Sequence, residues 1–168
     1  MRDPRDDFQA YPRELKASTA DSDQVCRREE LYFAVQELLE EQNDLFVEWR
    51  SSGDRITVFR GHPDKLDPAP DRRRLRPVYR LLPDGPLLVP TGLVFVRFKE
   101  GVPAEDRRRQ IAEAGFAVDS IPPYAPHGAW LKPADGEVSS ALSGIGALEA
   151  LPDMVNVEPQ LLGPRAQR

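Results

Sequence analysis

Cys26, His62 and His127 are the side chains of this 168-residue chain that could ligate zinc or pair as nucleophile and base. A structural zinc site needs four clustered ligands, mostly Cys and His at short spacing. Neither histidine has a neighbouring ligand at such a spacing. Gly61-His62-Pro63-Asp64 brings a His near an Asp, yet in a proline-rich stretch that gives a catalytic pair no rigid frame. No serine stands in a G-x-S-x-G elbow. Ser143-Gly144-Ile145-Gly146-Ala147-Leu148 contains G-x-G inside an apolar helical pattern, where helix packing explains the glycines better than a phosphate does. Glu37, Glu40 and Glu41 fit the wet face of a helix. These residues predict no catalytic site, no cofactor and no metal.

The charge balance narrows the partners. With 28 acidic and 23 basic residues the net charge is −5. Nonspecific nucleic-acid binding, which needs a basic field, is disfavoured. The runs Arg72-Arg73-Arg74 and Arg107-Arg108-Arg109 sit among acids and prolines and read as solvated surface. One cysteine permits no internal disulfide. The first residues lack the apolar core of a signal peptide. No stretch approaches the roughly 20 apolar residues of a membrane helix. The expectation is a cytoplasmic protein with no nucleic-acid or membrane partner.

Six segments follow from pattern. Residues 1–24 are polar and aperiodic and predict a flexible tail. Residues 25–62 predict a helix, with Leu31, Val35, Leu38 and Leu39 at helical spacing, and then a β-hairpin. Residues 63–77, rich in Pro and Arg, predict a linker, and 78–91 a second hairpin turning at Asp84-Gly85. Residues 92–161 read strand, helix, strand, strand, helix, strand. Pro103 opens the first helix, Gly115 caps it, and Val138, Ala141, Leu142, Ile145, Leu148 and Leu151 share one side of the second. That order predicts an α+β, ferredoxin-like domain, a four-stranded antiparallel sheet with two helices on one face. Residues 162–168 predict an extended tail.

Alternation assigns the faces of this sheet. Val94, Val96 and Phe98 share one face of the first strand, and Leu131 joins them from the third. Leu93, Phe95 and Trp130 fall on the other, open face. Large apolar groups on an open face call for a cover. Either a partner or the N-terminal hairpins would supply it.

The stretches "GLVFVRFKEGVPAEDRRRQIAEAG" and "ALEALPDMVNVEPQLL" resemble the propeptides of subtilisin-like serine proteases, over about residues 88–162. The family pattern closes with Leu, Pro and Val-x-x-Val-Glu-Pro, met here approximately by Leu148, Pro152, Val155, Val157, Glu158 and Pro159. The resemblance implies a protein that assists folding of a subtilisin-like protease and then inhibits it. It acts either as a prodomain cleaved from the precursor or as a freestanding inhibitor. It further implies that the open face, with Leu93, Phe95, Trp130 and Glu158, docks on the protease. The tail Leu161, Leu162, Gly163, Pro164, Arg165, Ala166, Gln167 and Arg168 would stay unfolded until it lies in the substrate cleft as a product does. Arg168 would then fill the first specificity pocket and Arg165 the fourth. In the family the loop between the second and third strands often carries acids. Here "SIPPYAPHG" has none, the nearest being Asp119 and Asp135. The alternative is a ferredoxin-like assembly or ligand-sensing module with no protease partner, since such folds host many functions.

Overall fold

The computed structural model describes residues 8–20, 24–37, 46–51 and 53–164. Among them are nine strands: β1 (Glu14–Lys16), β2 (Val25–Gln36), β3 (Val47–Ser51), β4 (Ile56–Arg60), β5 (Leu75–Leu81), β6 (Leu87–Phe98), β7 (Phe116–Ser120), β8 (Gly128–Pro133) and β9 (Met154–Leu162). The helices are short: α1 (Arg108–Glu113), α2 (Val138–Ser143) and α3 (Ile145–Glu149). Strands pair in the order β3-β4-β2-β5-β6-β8-β7, with β1 on β2 and β9 on β6. The ladders β2/β4, β2/β5, β3/β4, β5/β6, β6/β8 and β7/β8 are antiparallel. The ferredoxin-like α+β expectation is thereby corrected. The fold is a mostly antiparallel nine-stranded sheet, and no helix among the described residues exceeds six.

The chain forms two compact units, one built on Cys26–Val89 and the other on Pro90–Leu161 with Glu14–Val25. In the first, the predicted helix over residues 26–41 is instead β2, as far as Gln36; residues 38–45 lie outside the described residues. The run Tyr32-Phe33-Ala34-Val35 explains the outcome. Bulky aromatic and β-branched side chains suit a pleated strand. Phe33 pairs with Phe59 and Ala34 with Val58. Alternate residues then enter opposite clusters. Phe33, Val35, Phe59, Leu66 and Leu75 form one, and Ala34, Ile56, Val58, Val78, Leu87 and Val89 the other. A strand buried on both faces shows no polar alternation, so its apolar run can imitate a helix. Leu31, counted toward the helical stripe, is 68% exposed. The predicted hairpins exist as β3/β4 and β5/β6. The expected linker is partly core: Leu66 is buried, and the chain is already in β5 at Leu75.

The second unit follows its pattern closely. Val94, Val96, Phe98, Leu131 and Val157 meet Ile111 of α1, Ala141 of α2 and Leu148 of α3 in one buried cluster. Gly115, at φ 92°, ends the first helical segment where expected. The second predicted helix is broken in two at Gly144. A Cβ there would stand 2.7 Å from Cε2 of Phe116, so glycine lets the helical segment approach the β7 ring.

Candidate functional site

Strand phase puts Leu93, Phe95 and Trp130 where alternation expects them. All three are half-buried, while Val94, Val96, Ala129 and Leu131 between them are fully buried. Phe95 and Trp130 are directly opposite in the β6/β8 ladder. Their ring centroids lie 5.0 Å apart at 57°, a favourable tilted aromatic pair. Gly128 is part of this geometry, since a Cβ on it would come within 2.8 Å of the Phe95 Cζ. Any side chain at 128 would displace the ring. The result is an aromatic platform on the sheet face opposite the one that receives Ile111, Ala141 and Leu148.

Glu158 is half-buried on β9, and its Oε1 accepts a hydrogen bond from Asn156 Nδ2 at 2.8 Å. Asn156 is itself buried. Its Oδ1 accepts from Ser18 Oγ (2.8 Å), the Ala20 N–H (2.9 Å) and, more weakly, Thr19 Oγ1 (3.3 Å). Val157 N–H donates to Thr19 Oγ1 at 2.8 Å, and Thr19 N–H donates to the Val157 carbonyl at 3.1 Å. Part of the N-terminal segment expected to be a flexible tail therefore runs along β9. Sequence pattern could not reveal this, because no local signal marks Ser-Thr-Ala as the partner of a residue 138 positions away.

The tail begins later than the sequence predicts. Leu161 and Leu162 are the last residues of β9, and Leu162 packs on the cluster of Ala34, Val58 and Val89. Gly163 and Pro164 follow without regular structure. Arg165, Ala166, Gln167 and Arg168 lie outside the described residues. The physical reason is that Leu161 and Leu162 simply continue the strand that Met154 begins, and the cluster gives Leu162 apolar surface to bury.

Among the described residues no three His, Cys, Asp or Glu side chains gather as a metal would require. Cys26 is fully buried, and burial pushes its thiol pKa up, which keeps it protonated and a poor nucleophile. His62 Nδ1 accepts the Asp64 N–H at 3.2 Å, as a cap on the short 3-10 turn Pro63–Lys65. Its Nε2 is buried without a partner. Beside it is a cavity of about 30 Å³ lined by Arg28, Glu30, Tyr32, Phe33 and Gly61, room for about one water. Arg28 is committed to the Phe8 and Tyr11 carbonyls, and Arg80 to Glu29 at 2.6 Å, the bond that chiefly raises the Arg80 pKa. Tyr124 was not anticipated. It is 89% exposed in the loop Ile121–His127, where the Ala125 N–H bonds to the Pro122 carbonyl.

No family model matches the chain, and neither a curated protein nor a solved structure matches it.

Proposed function

We propose that this chain is a propeptide-type inhibitor and folding assistant of a subtilisin-like serine protease, acting in cis as a prodomain or in trans. The observation that carries the reading is the Phe95–Trp130 platform, with Leu93 beside it, on the face of the sheet that the helices do not cover. Half-buried aromatics on a rigid strand pair suit a protein interface, because they bury large area at low entropic cost. The resemblance of residues 88–162 to subtilase propeptides supports a subtilisin-like protease as the partner. Trp130 and Phe95 meet the protease surface, and Glu158 contributes a carboxylate held by Asn156.

The inhibitory segment starts after Leu162. Six residues, Gly163 to Arg168, span up to about 20 Å when extended, enough to enter a cleft from the end of β9. Their main chain can pair with strands lining that cleft while alternate side chains fill pockets. The spacing Arg165-x-x-Arg168 would suit an enzyme that prefers basic residues.

The test is a titration of the purified chain against two subtilisin-like proteases, one of broad specificity and one basic-specific. A version ending at Gly163 runs beside it, which keeps Leu162 in its cluster. Tight inhibition by the full chain, strongest on the basic-specific enzyme and lost with the tail, is expected. A folded full chain that inhibits neither enzyme would overturn the reading.

A further inference from the structure

β9 is held by more than its sheet partner: at Asn156 and Val157 it is also bonded by an N-terminal segment. In the sheet it pairs with β6. In addition, Thr19 exchanges two hydrogen bonds with Val157, and Asn156 Oδ1 gathers donors from three consecutive residues. The residues making these bonds, 18–20, follow β1. Just before them, the Ala17 N–H donates to the Gln24 carbonyl at 2.9 Å.

We propose that Ala17–Ala20 is a latch that holds the C-terminal strand through its last residues, Gln160 and Leu161, with Thr19 and Asn156 as positioning residues. Three features favour a latch over an incidental contact. Asn156 is 7% exposed, so an amide that lost its partners would leave a desolvated polar group unsatisfied. Most of its acceptor capacity is met by the latch. The Thr19 hydroxyl replaces a strand partner for the Val157 N–H, so a single side chain satisfies that donor. The third feature is orientation. The same Asn156 amide that receives the latch through Oδ1 fixes Glu158 through Nδ2, so opening the latch also frees the carboxylate on the outer face.

In its effect on inhibition the inference rests on the protease reading above, because the strand the latch holds is the base from which the inhibitory segment departs. Its effect on β9 does not. With the latch closed, β9 presents its end in one position. With it open, Gly163 and the residues after it leave a strand that has lost those bonds, at an entropic cost to cleft binding. The latch would therefore let the N-terminal segment regulate an inhibitor by holding a strand 138 residues away, the sequence separation of Thr19 and Val157.

Amide hydrogen exchange on the full-length chain tests this, comparing wild type with Thr19→Val, which keeps the shape and removes the hydroxyl, and Thr19→Ser, which restores it. In Thr19→Val the Val157, Gln160 and Leu161 amides should exchange faster by about fivefold, the size expected for one intramolecular hydrogen bond. Val94 and Val96 amides should keep their wild-type protection, and Thr19→Ser should return the other three to wild-type rates. Inhibition constants should rise by a similar factor in Thr19→Val and recover in Thr19→Ser. Unchanged exchange at Gln160 and Leu161 in a folded Thr19→Val chain overturns the latch, and faster exchange with undiminished inhibition overturns its control of the inhibitor. Should Thr19→Val fail to fold, Ser18→Ala removes one donor to Asn156 and must show the same pattern at smaller amplitude. Lack of inhibition by the wild-type chain would count against the protease reading alone, and exchange at Gln160 and Leu161 would still decide the latch.

Discussion

The unit built on Cys26–Val89 and the unit built on Pro90–Leu161 solve the same problem in opposite ways. In the first, β2 and β4 bury both their faces, Phe33 and Phe59 stacking at 5.2 Å on one side while Ala34 and Val58 pack on the other. In the second, β6 and β8 bury Val94, Val96 and Leu131 under helices and keep Phe95 and Trp130 half-buried on the reverse. Adjacent residues are therefore equivalent in the first unit and unlike in the second. A sheet with two buried faces has spent its apolar side chains on stability. One with a single helix-covered face keeps a surface for something else.

The largest effect that would test this contrast comes from charge. Val58→Asp and Val157→Asp, at fully buried positions of the two units, should each destabilise by about 3 kcal/mol or more, read as a fall in melting temperature. A melting curve unaltered by Val157→Asp would break the strand phase on which the platform depends. Next in size is the comparison of neighbours. Phe59→Ala should cost about 3–5 kcal/mol of stability, with Val58→Ala also costly, since both lie in cores. Trp130→Ala should instead weaken protease binding by about 2 kcal/mol or more, measured by titration, with a smaller stability loss than Phe59→Ala. Unchanged binding by the folded Trp130→Ala chain would remove the platform from the interface.

Ionisation separates the units by the direction of pH. Burial raises the pKa of both Cys26 and Tyr79 in the first unit, above 9.0 and 10.0, their ordinary values. The unfolded chain then ionises at lower pH than the folded one, so this stability is present below pH 9 and is lost as pH rises past 9 and 10. Tyr79→Phe should flatten the alkaline slope, while losing about 1 kcal/mol at neutral pH with the bond to the Pro12 carbonyl. A slope as steep as wild type would show that Tyr79 does not carry it. The smallest effect is acidic and belongs to the second unit. The Ser140 hydroxyl, first, and the Glu137 N–H lower the pKa of Asp135 below 3.8. Its contribution holds above that value and is lost as pH falls through it. Ser140→Ala should reduce the acid-side slope slightly, seen in urea unfolding between pH 5 and pH 3.

The same contrast accounts for what the sequence revealed. In the second unit, core alternates with open face along Val94-Phe95-Val96 and with solvent along Leu131-Lys132, and helical spacing picked out Val138, Ala141 and Leu148. Burial and phase were legible there. In the first unit, double-sided burial erased the alternation, and Leu31 with Val35 supplied a false helical period. The overall sheet was missed for that reason, because β2 is the strand to which β4 and β5 attach. Of the candidate site, Leu93, Phe95 and Trp130 were readable from period two. The later start of the tail was not, since whether Leu162 stays in the strand depends on the distant cluster of Ala34, Val58 and Val89. Thr19 and Asn156 were invisible for the same physical reason, as nonlocal hydrogen bonds leave no periodicity.

β6 runs unbroken from Leu87 to Phe98, and the chain passes from one unit to the other inside it, between Val89 and Pro90. Where two units usually join, a protein offers a loop, and that loop is where digestion cuts and where an excised module can begin. Here the join lies inside a strand. A fragment starting at Thr91 would carry off part of a strand and leave the rest behind. Digestion of the folded protein should spare this stretch and open the chain elsewhere.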